Sequence, residues 1–415
     1  MTAARRILLA DADAFYVAVA RLADPKGAGK ARLLIVGGSV EGRGVVTSAS
    51  YEARAYGVHS AMPMGRAVRL CPAAMVVPVP WETCALKSRE IRRVLEAFAP
   101  AVEQASSDEF YMDLEGTEKL YREEPLAETA RRIRAAVLSE AALSVSIGGG
   151  TTRLVAKLAA GVAKPGPDRA GEGVYVVQPG GEAEFLRRFA LGDLPGIGPK
   201  AVDRLGRVGL RTVEDVLRYD ARALASQLGE HEAEWLHRRV RGIDDTPVER
   251  RAEPKSISRD ETFARDLEAD DDLAKELLAL VDRATGDLRE DGLLARTVTV
   301  KLRDWDFTTR QASRTLPEPV LSDRVVYGVA RELLGKLRTA RRVPARLLGV
   351  SLSGLVRAER EVQLSLLPAE RGGTLETERD RTIARVMDVV RERFGPDALR
   401  RGGATPGHRS GVSRE

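Results

Sequence analysis

Residues 104–116 read QASSDEFYMDLEG. Two adjacent carboxylates, Asp108 and Glu109, stand in front of the large apolar residues Phe110, Tyr111, Met112 and Leu114. An apolar run of that kind is a strand bound for a core. Carboxylates crowded at its edge repel each other, and one of them tends toward its neutral form. A hard divalent cation removes the conflict, because Mg²⁺ takes oxygen ligands, usually a few carboxylates together with substrate phosphates. A second short strand, residues 7–10, also ends on acids, Asp11 and Asp13. Three carboxylates from two strand ends can cradle two such ions, the arrangement that serves both the attacking and the leaving oxygen of a phosphoryl transfer. An isolated Asp-Glu pair is more often a surface feature at a strand end, so the surrounding sequence has to decide.

Outward from this stretch the chain alternates. A helix follows the first strand and stops near Asp24 and Pro25. ARLLIVGG and GVVTSAS read as strands, residues 82–98 as a helix, residues 102–116 as one strand, PLAETARRIRAAVLSEA as an amphipathic helix and LSVSIGGG as a strand. Residues 183–241 are mostly helical with glycine-marked turns, and 242–258 are polar and proline-bearing, the composition of a linker. A second α+β unit follows: helix 268–290, strands 296–303 and 307–315, helix 321–340 and strand 346–355. In it Val298, Val300 and Leu302 alternate with Thr297, Thr299, Lys301 and Arg303, and Ser351 lies on a similar strand. That polar face alone is an ordinary solvated sheet face. The last residues have the composition of a disordered tail.

At 415 residues, two to four domains are expected. Lys and Arg number 66 against 61 for Asp and Glu, a net charge of +5 that permits nucleic-acid binding without demanding it. Cys71 and Cys84 match no metal or redox spacing, and the four histidines do not cluster. The apolar run ILLA is too short for a signal peptide or a membrane span. A cytoplasmic protein with no membrane association is expected.

LLADADAFYVAVA, GVVTSASYEARAYGVHSAMPMGRAVRLCP, SSDEFYMDL, LSVSIGGGTTRLVAKLAAGVAKPGP and LGDLPGIGPKAVDRLGRVGLRTVEDV follow one another as in Y-family DNA polymerases, and the chain resembles their bacterial polymerase IV-like branch from about residue 5 to 367. The resemblance implies an α+β multidomain, right-hand polymerase: palm (1–21 and 82–170), fingers (22–81), helical thumb with a helix-hairpin-helix (171–241), linker (242–258) and little finger (259–360). It implies low-fidelity, translesion synthesis by two-metal nucleotidyl transfer from a dNTP to a primer 3′-hydroxyl, with two Mg²⁺ ions as cofactors. Asp11, Asp108 and Glu109 would be the catalytic metal ligands, helped by the Ala12 carbonyl, while Asp13 is at least as well read as structural. Tyr16 would be the steric gate against a 2′-hydroxyl; by spacing alone it is a core aromatic. Ser48, Tyr51, Arg54 and Lys164 would hold the triphosphate. Small residues around Ala49 and Met62 would shape the pocket at the templating pair.

LPGIGPKAVDRLGRVGL is also a helix-hairpin-helix in its own right, or a plain αα-hairpin. Gly196, Gly198 and Lys200 would grip a DNA phosphate without reading sequence. With the little finger implied, Thr297, Thr299, Lys301, Arg303 and Ser351 become DNA-facing candidates. Gln363, Leu364, Ser365, Leu366 and Leu367 resemble the peptide that docks bacterial polymerases on the sliding clamp; otherwise they end the last strand. Beyond them lies an amphipathic helix, suited to docking on the little finger or on a partner, and then the tail. Primer-template DNA, a dNTP and the clamp are the expected partners of a monomer. The family usually has an aliphatic residue at Ser107 and a small one at Phe110; Ser107 would set a hydroxyl beside Asp108, and Phe110 needs extra room in the palm. Thr152 and Arg153 replace the usual Asn-Lys. Two alternatives stay open: a non-catalytic, clamp-bound DNA scaffold of the same fold, and a metal-dependent helix-hairpin-helix repair nuclease.

Overall fold

The computed structural model describes residues 4–165, 172–249, 254–358, 376–395 and 398–399. Gln363 to Leu367 lie outside the described residues.

The first strand, β1 (Ile7–Ala12), runs into α1 (Phe15–Ala23) through Ala14 in the left-handed conformation. Then come β2 (Leu34–Gly37), β3 (Val46–Ala49), α2 (Tyr51–Arg54), α3 (Met64–Leu70), β4 (Met75–Val77), α4 (Trp81–Glu96), β5 (Ala101–Gln104), β6 (Glu109–Asp113), α5 (Leu126–Ala141), β7 (Val145–Gly150), α6 (Arg153–Ala163) and β8 (Val174–Val176). The large sheet has the order β5-β6-β1-β7-β8. Its pleat sorts the residues of β1 between two layers. Leu8, Ala10 and Ala12 join Ile91 and Leu95 of α4 and Ile133 and Val137 of α5 in one core. Ile7 and Leu9 face the other way, toward Ala156 and Ala160 of α6. Gly148 of β7 permits that approach: a Cβ there would stand 2.0 Å from the backbone nitrogen of Ala160. Phe110 is fully buried, and its partner across the strand pair is the small Ala10, which leaves room for the ring.

Residues 101–113 are two strands rather than the single strand expected. They pair antiparallel, and the Glu109 carbonyl accepts from Ala105 and Ser106 N–H across the turn. A separate sheet of order β3-β2-β4 carries a small core in which Ala49 and Met62 are themselves buried.

Five further helices follow: α7 (Glu182–Leu186), α8 (Pro199–Arg207), α9 (Val213–Leu217), α10 (Ala221–Leu228) and α11 (Glu230–Arg239). They close on Leu154, Val155 and Leu158 of α6. Residues 244–248, expected to be linker, are strapped to the sheet. Val248 is buried beside Ile7, Leu9 and Tyr111, and Arg153 donates to the Pro247 carbonyl at 2.8 Å.

The chain divides into two units, residues 1–40 with 44–252, and residues 41–43 with 253–415. The second unit holds β9 (Ser256–Leu267), α12 (Asp270–Glu290), β10 (Leu293–Asp304), β11 (Thr309–Val320), α13 (Asp323–Ala340), β12 (Ala345–Arg357) and α14 (Glu378–Phe394). β9 begins inside the stretch expected to be linker. The sheet order is β11-β10-β12-β9, and Val298, Val300, Leu302, Val350 and Leu352 bury against α12 and α13. Helix α14 docks on these elements through ion pairs: Arg289 to Asp388, Arg391 to Asp282 and Arg324 to Asp380.

Candidate active site

Antiparallel pairing sets Asp11 directly opposite Glu109, and the pleat turns both to the face over which α6 runs. Like charges in that relation destabilise a strand pair. Two lysines answer them from α6 and its end, seven residues apart and so on one helix face. Lys164 Nζ lies 2.7 Å from Asp11 Oδ1, and Lys157 Nζ lies 2.7 Å from Glu109 Oε2. Burial still pushes the Asp11 carboxyl up to about 6, against the pull of Lys164, with Glu109 and Asp108 adding repulsion. Burial pulls the Lys157 ammonium down, but its bond to Glu109 and that carboxylate's charge leave it raised overall.

Asp108 closes the β5–β6 turn beside Glu109. Its carboxylate accepts from Ser106 Oγ at 2.6 Å, and its carbonyl accepts from Ala12 N–H at 2.9 Å, tying the turn to the end of β1. The hydroxyl on Asp108 thus comes from Ser106, not from Ser107 as expected. Ser107 Oγ instead shares a 2.9 Å hydrogen bond with the Tyr16 hydroxyl. The half-buried Tyr16 ring also meets Phe15 and Trp81 edge-on. Burial raises its phenol, and the bond to Ser107 only partly opposes this. Asp13 accepts from Ser144 and Ser146, each at 2.7 Å, which is a structural engagement.

The carboxylate oxygens of Asp11, Asp108 and Glu109 are hard donors that suit a divalent cation, and two ammonium groups already sit on two of them. Among the described residues, no three His, Cys, Asp or Glu side chains are drawn together as closely as one metal ion requires.

Ser48, Tyr51 and Arg54 come together at the end of β3. Ser50 caps α2, and Arg54 folds back with Nε donating to the Ala49 carbonyl at 2.9 Å and its guanidinium 5.3 Å from the Tyr51 ring centroid. Burial raises the Tyr51 phenol, and the charges of Asp13 and Asp11 add to the effect. The expected phosphate contacts on α2 therefore lie within electrostatic reach of the β1 acids. Lys164, expected on the triphosphate, is engaged by Asp11.

In the hairpin, Gly196 adopts φ +95°, where a Cβ would press on the Trp235 ring at 3.0 Å. Gly198 precedes Pro199 at the first position of α8, and Lys200 beside it is exposed. In the second unit, Thr297 and Thr299 share hydrogen bonds with Thr315 and Ser313, and Ser351 pairs with Thr299 in register on the neighbouring strand. Arg303 donates to Thr309, and Lys301 is bonded to Asp260.

Lys157, Ser106 and Trp81 were not singled out from the sequence. The seven-residue spacing of Lys157 and Lys164 is a signal that could have found the first; the others depend on tertiary contacts.

Residues 10–161 match the impB/mucB/samB family, residues 254–366 its C-terminal domain, and residues 192–244 the thumb domain described for DNA polymerase-iota. The DNA polymerase IV of Dehalococcoides mccartyi (strain CBDB1) is 34% identical over 96% of this chain and 97% of its own length. That of Methanoculleus marisnigri is 38% identical over 85% of this chain and 95% of its own. Among solved structures, a Y-family DNA polymerase chimera superposes with a TM-score of 0.73 at 25% identity, covering 85% of this chain and 99% of that one. DinB from Sulfolobus solfataricus gives 0.56 at 25% identity, over 84% and 98%. The architecture is that of a right-hand polymerase with a helix-hairpin-helix thumb. From near-complete alignment with DNA polymerase IV relatives and from the shared fold, the chain belongs to the Y family of DNA polymerases.

Proposed function

We propose that this DNA-directed DNA polymerase performs low-fidelity, translesion synthesis at the paired ends of β1 and β6, with Asp11, Asp108 and Glu109 as ligands of two Mg²⁺ ions and Ala12 assisting. The observation that carries this is the face-to-face placement of Asp11 and Glu109, with Asp108 in the adjoining turn. Carboxylates facing each other on a rigid sheet, two of them already drawing an ammonium group, make a site that favours cations. When bound, the metal ions would supply charge for the attacking 3′-hydroxyl and for the departing pyrophosphate.

The chain's own groups do the placing. Ser48, Tyr51 and Arg54 form a cluster suited to the phosphates of an incoming dNTP, Arg54 through a fork of donors matched to phosphate oxygens. Lys157 and Lys164 hold the acids until cations arrive, and Lys164 is then free to meet the triphosphate. Tyr16 stands against the sugar and rejects a 2′-hydroxyl. Gly196, Gly198 and Lys200 grip a primer-template phosphate, and Thr297, Thr299, Lys301, Arg303 and Ser351 line the DNA side of the little finger. We assign the palm to residues 1–21 and 82–170, the fingers to 22–81, the thumb to 171–241 and the little finger to the unit that begins with β9.

The test offers single dNTPs on a primer-template of known sequence. Extension chiefly by the complementary nucleotide supports the reading. Shortening of the strand without any dNTP would support the nuclease alternative instead. The segment Gln363 to Leu367 is proposed as the sliding-clamp contact of a monomeric enzyme. Its deletion should abolish stimulation by the clamp while basal synthesis persists, and equal stimulation of the deleted form would refute the contact.

A further inference from the structure

We propose that Ser107 is a positioning residue for sugar selection: its hydroxyl fixes the ring of Tyr16 at the distance from which it excludes a ribose. The inference rests on the Tyr16 reading above and deepens it.

Tyr16 is the second residue of α1, just past the left-handed turn at Ala14. A tyrosine ring there has two free torsions, so its position depends on what it touches. Phe15 meets it at 5.2 Å between centroids and 76° between planes, and Trp81 at 6.0 Å and 73°. Edge contacts of this kind orient a ring but are weak against sliding within its own plane. Among the described residues, the one directional restraint is at the tip, the 2.9 Å hydrogen bond to Ser107 Oγ.

The anchor is itself held. Ser107 lies in the β5–β6 turn, where the preceding Ser106 Oγ accepts from the N–H groups of Asp108 and Glu109, at 3.3 and 3.1 Å, and donates to the Asp108 carboxylate. The tip of the Tyr16 ring is therefore registered to the same turn that carries Asp108. Steric exclusion of one hydroxyl depends on shifts well below the size of an atom, so a restraint at the ring tip acts on selectivity directly.

The test compares kcat/KM for the complementary dNTP and rNTP in the full chain and in five variants. Ser107→Ala and Tyr16→Phe each remove the same hydrogen bond. Each should lower the preference for the deoxy sugar roughly 3- to 10-fold, the scale of one neutral hydrogen bond. The double variant should lose no more than either single one, because the bond can be lost only once. Ser107→Thr keeps a hydroxyl and should restore the preference. Tyr16→Ala removes the ring and should admit ribonucleotides far more freely than any of these.

An undiminished preference in Ser107→Ala, alongside a collapsed one in Tyr16→Ala, overturns the role of Ser107 while leaving the gate standing. So do losses that multiply in the double variant, and so does an equal loss of efficiency with both sugars, which would mean that Ser107 serves Asp108 rather than the ring. A preference that survives Tyr16→Ala overturns the gate reading itself, and this inference with it.

Discussion

Lys164 Nζ stands 2.7 Å from Asp11 Oδ1, on the one carboxylate of β1 that lies opposite another carboxylate, Glu109. Even so, burial lifts the Asp11 carboxyl from its ordinary 3.8 to about 6. A carboxyl raised on folding stabilises the fold fully only below its unfolded pKa, and that contribution is lost as pH rises through the folded value. Above about pH 6, charged Asp11 therefore costs the metal-free protein stability, on the order of 2–3 kcal/mol. Asp11→Asn should melt higher than the parent in chelator near pH 8, and the gap should close toward pH 4. A lower melting temperature for the variant at pH 8 would contradict this account of the site.

Arg54 is held ready by the Ala49 carbonyl and the Tyr51 ring. Arg54→Ala should raise KM for the incoming dNTP about tenfold or more, since a charge-assisted contact to phosphate is lost. Arg54→Lys should recover only part of it, because an ammonium cannot present the fork. Steady-state kinetics with one dNTP varied would check both, and an unchanged KM in Arg54→Ala would remove Arg54 from the phosphate site.

The two basic candidates on the sheet of the second unit differ in their partners. Lys301 is bonded to Asp260, whereas Arg303 is bonded to the neutral Thr309 and to no carboxylate among the described residues. If both approach DNA phosphates, Arg303→Ala should lower the slope of log affinity against log salt by about 0.9. Lys301→Ala should lower it by less, because Asp260 already balances part of that charge. Primer-template titrations across a salt series would show this. A slope unaffected by Arg303→Ala would place that residue away from the phosphates.

The acids at the ends of the two strands were legible, because an apolar run that stops at a carboxylate marks a strand end. The face that Asp11 takes was not, since Ile7 to Ala10 are all apolar and only the packing sorts them between two layers. The β5–β6 turn was not legible. Residues 105–107 contain neither glycine nor proline, and the Ser106 hydroxyl supplies the turn instead. Strand β9 was missed for a related reason. Of its residues only Ile257 and Phe263 are buried, so its charged alternation resembles a linker. Lys157 and Ser107 make contacts to residues 48 and 91 positions away, respectively; the spacing of Lys157 from Lys164 hints at the first, and no local pattern announces the second. Val248 shows the converse: a composition typical of a linker can still anchor when one apolar side chain finds a core.

Asp304 is fully buried at the end of β10. It accepts from Arg310 at 2.8 and 3.1 Å and from Arg341 at 2.8 Å. Asp304→Ala would take the paired carboxylate from Arg310 and leave Arg341 with Asp306 alone, setting two guanidinium groups side by side. The expected loss is about 3–5 kcal/mol, as for other broken buried ion pairs. Denaturant unfolding of the full chain would measure it. A loss below about 1 kcal/mol would mean that solvent reaches the site and screens the arginines.

The central claim is that the ends of β1 and β6 form the polymerising site. Primer extension on an undamaged template with Mg²⁺ and dNTPs tests it most directly, comparing the parent with Asp108→Ala plus Glu109→Ala. The account predicts extension by the parent and none by the variant, with primer-template binding retained in both. Extension by the variant at the parent's rate would contradict it, and failure of both proteins to extend DNA that they bind would return the chain to the scaffold reading.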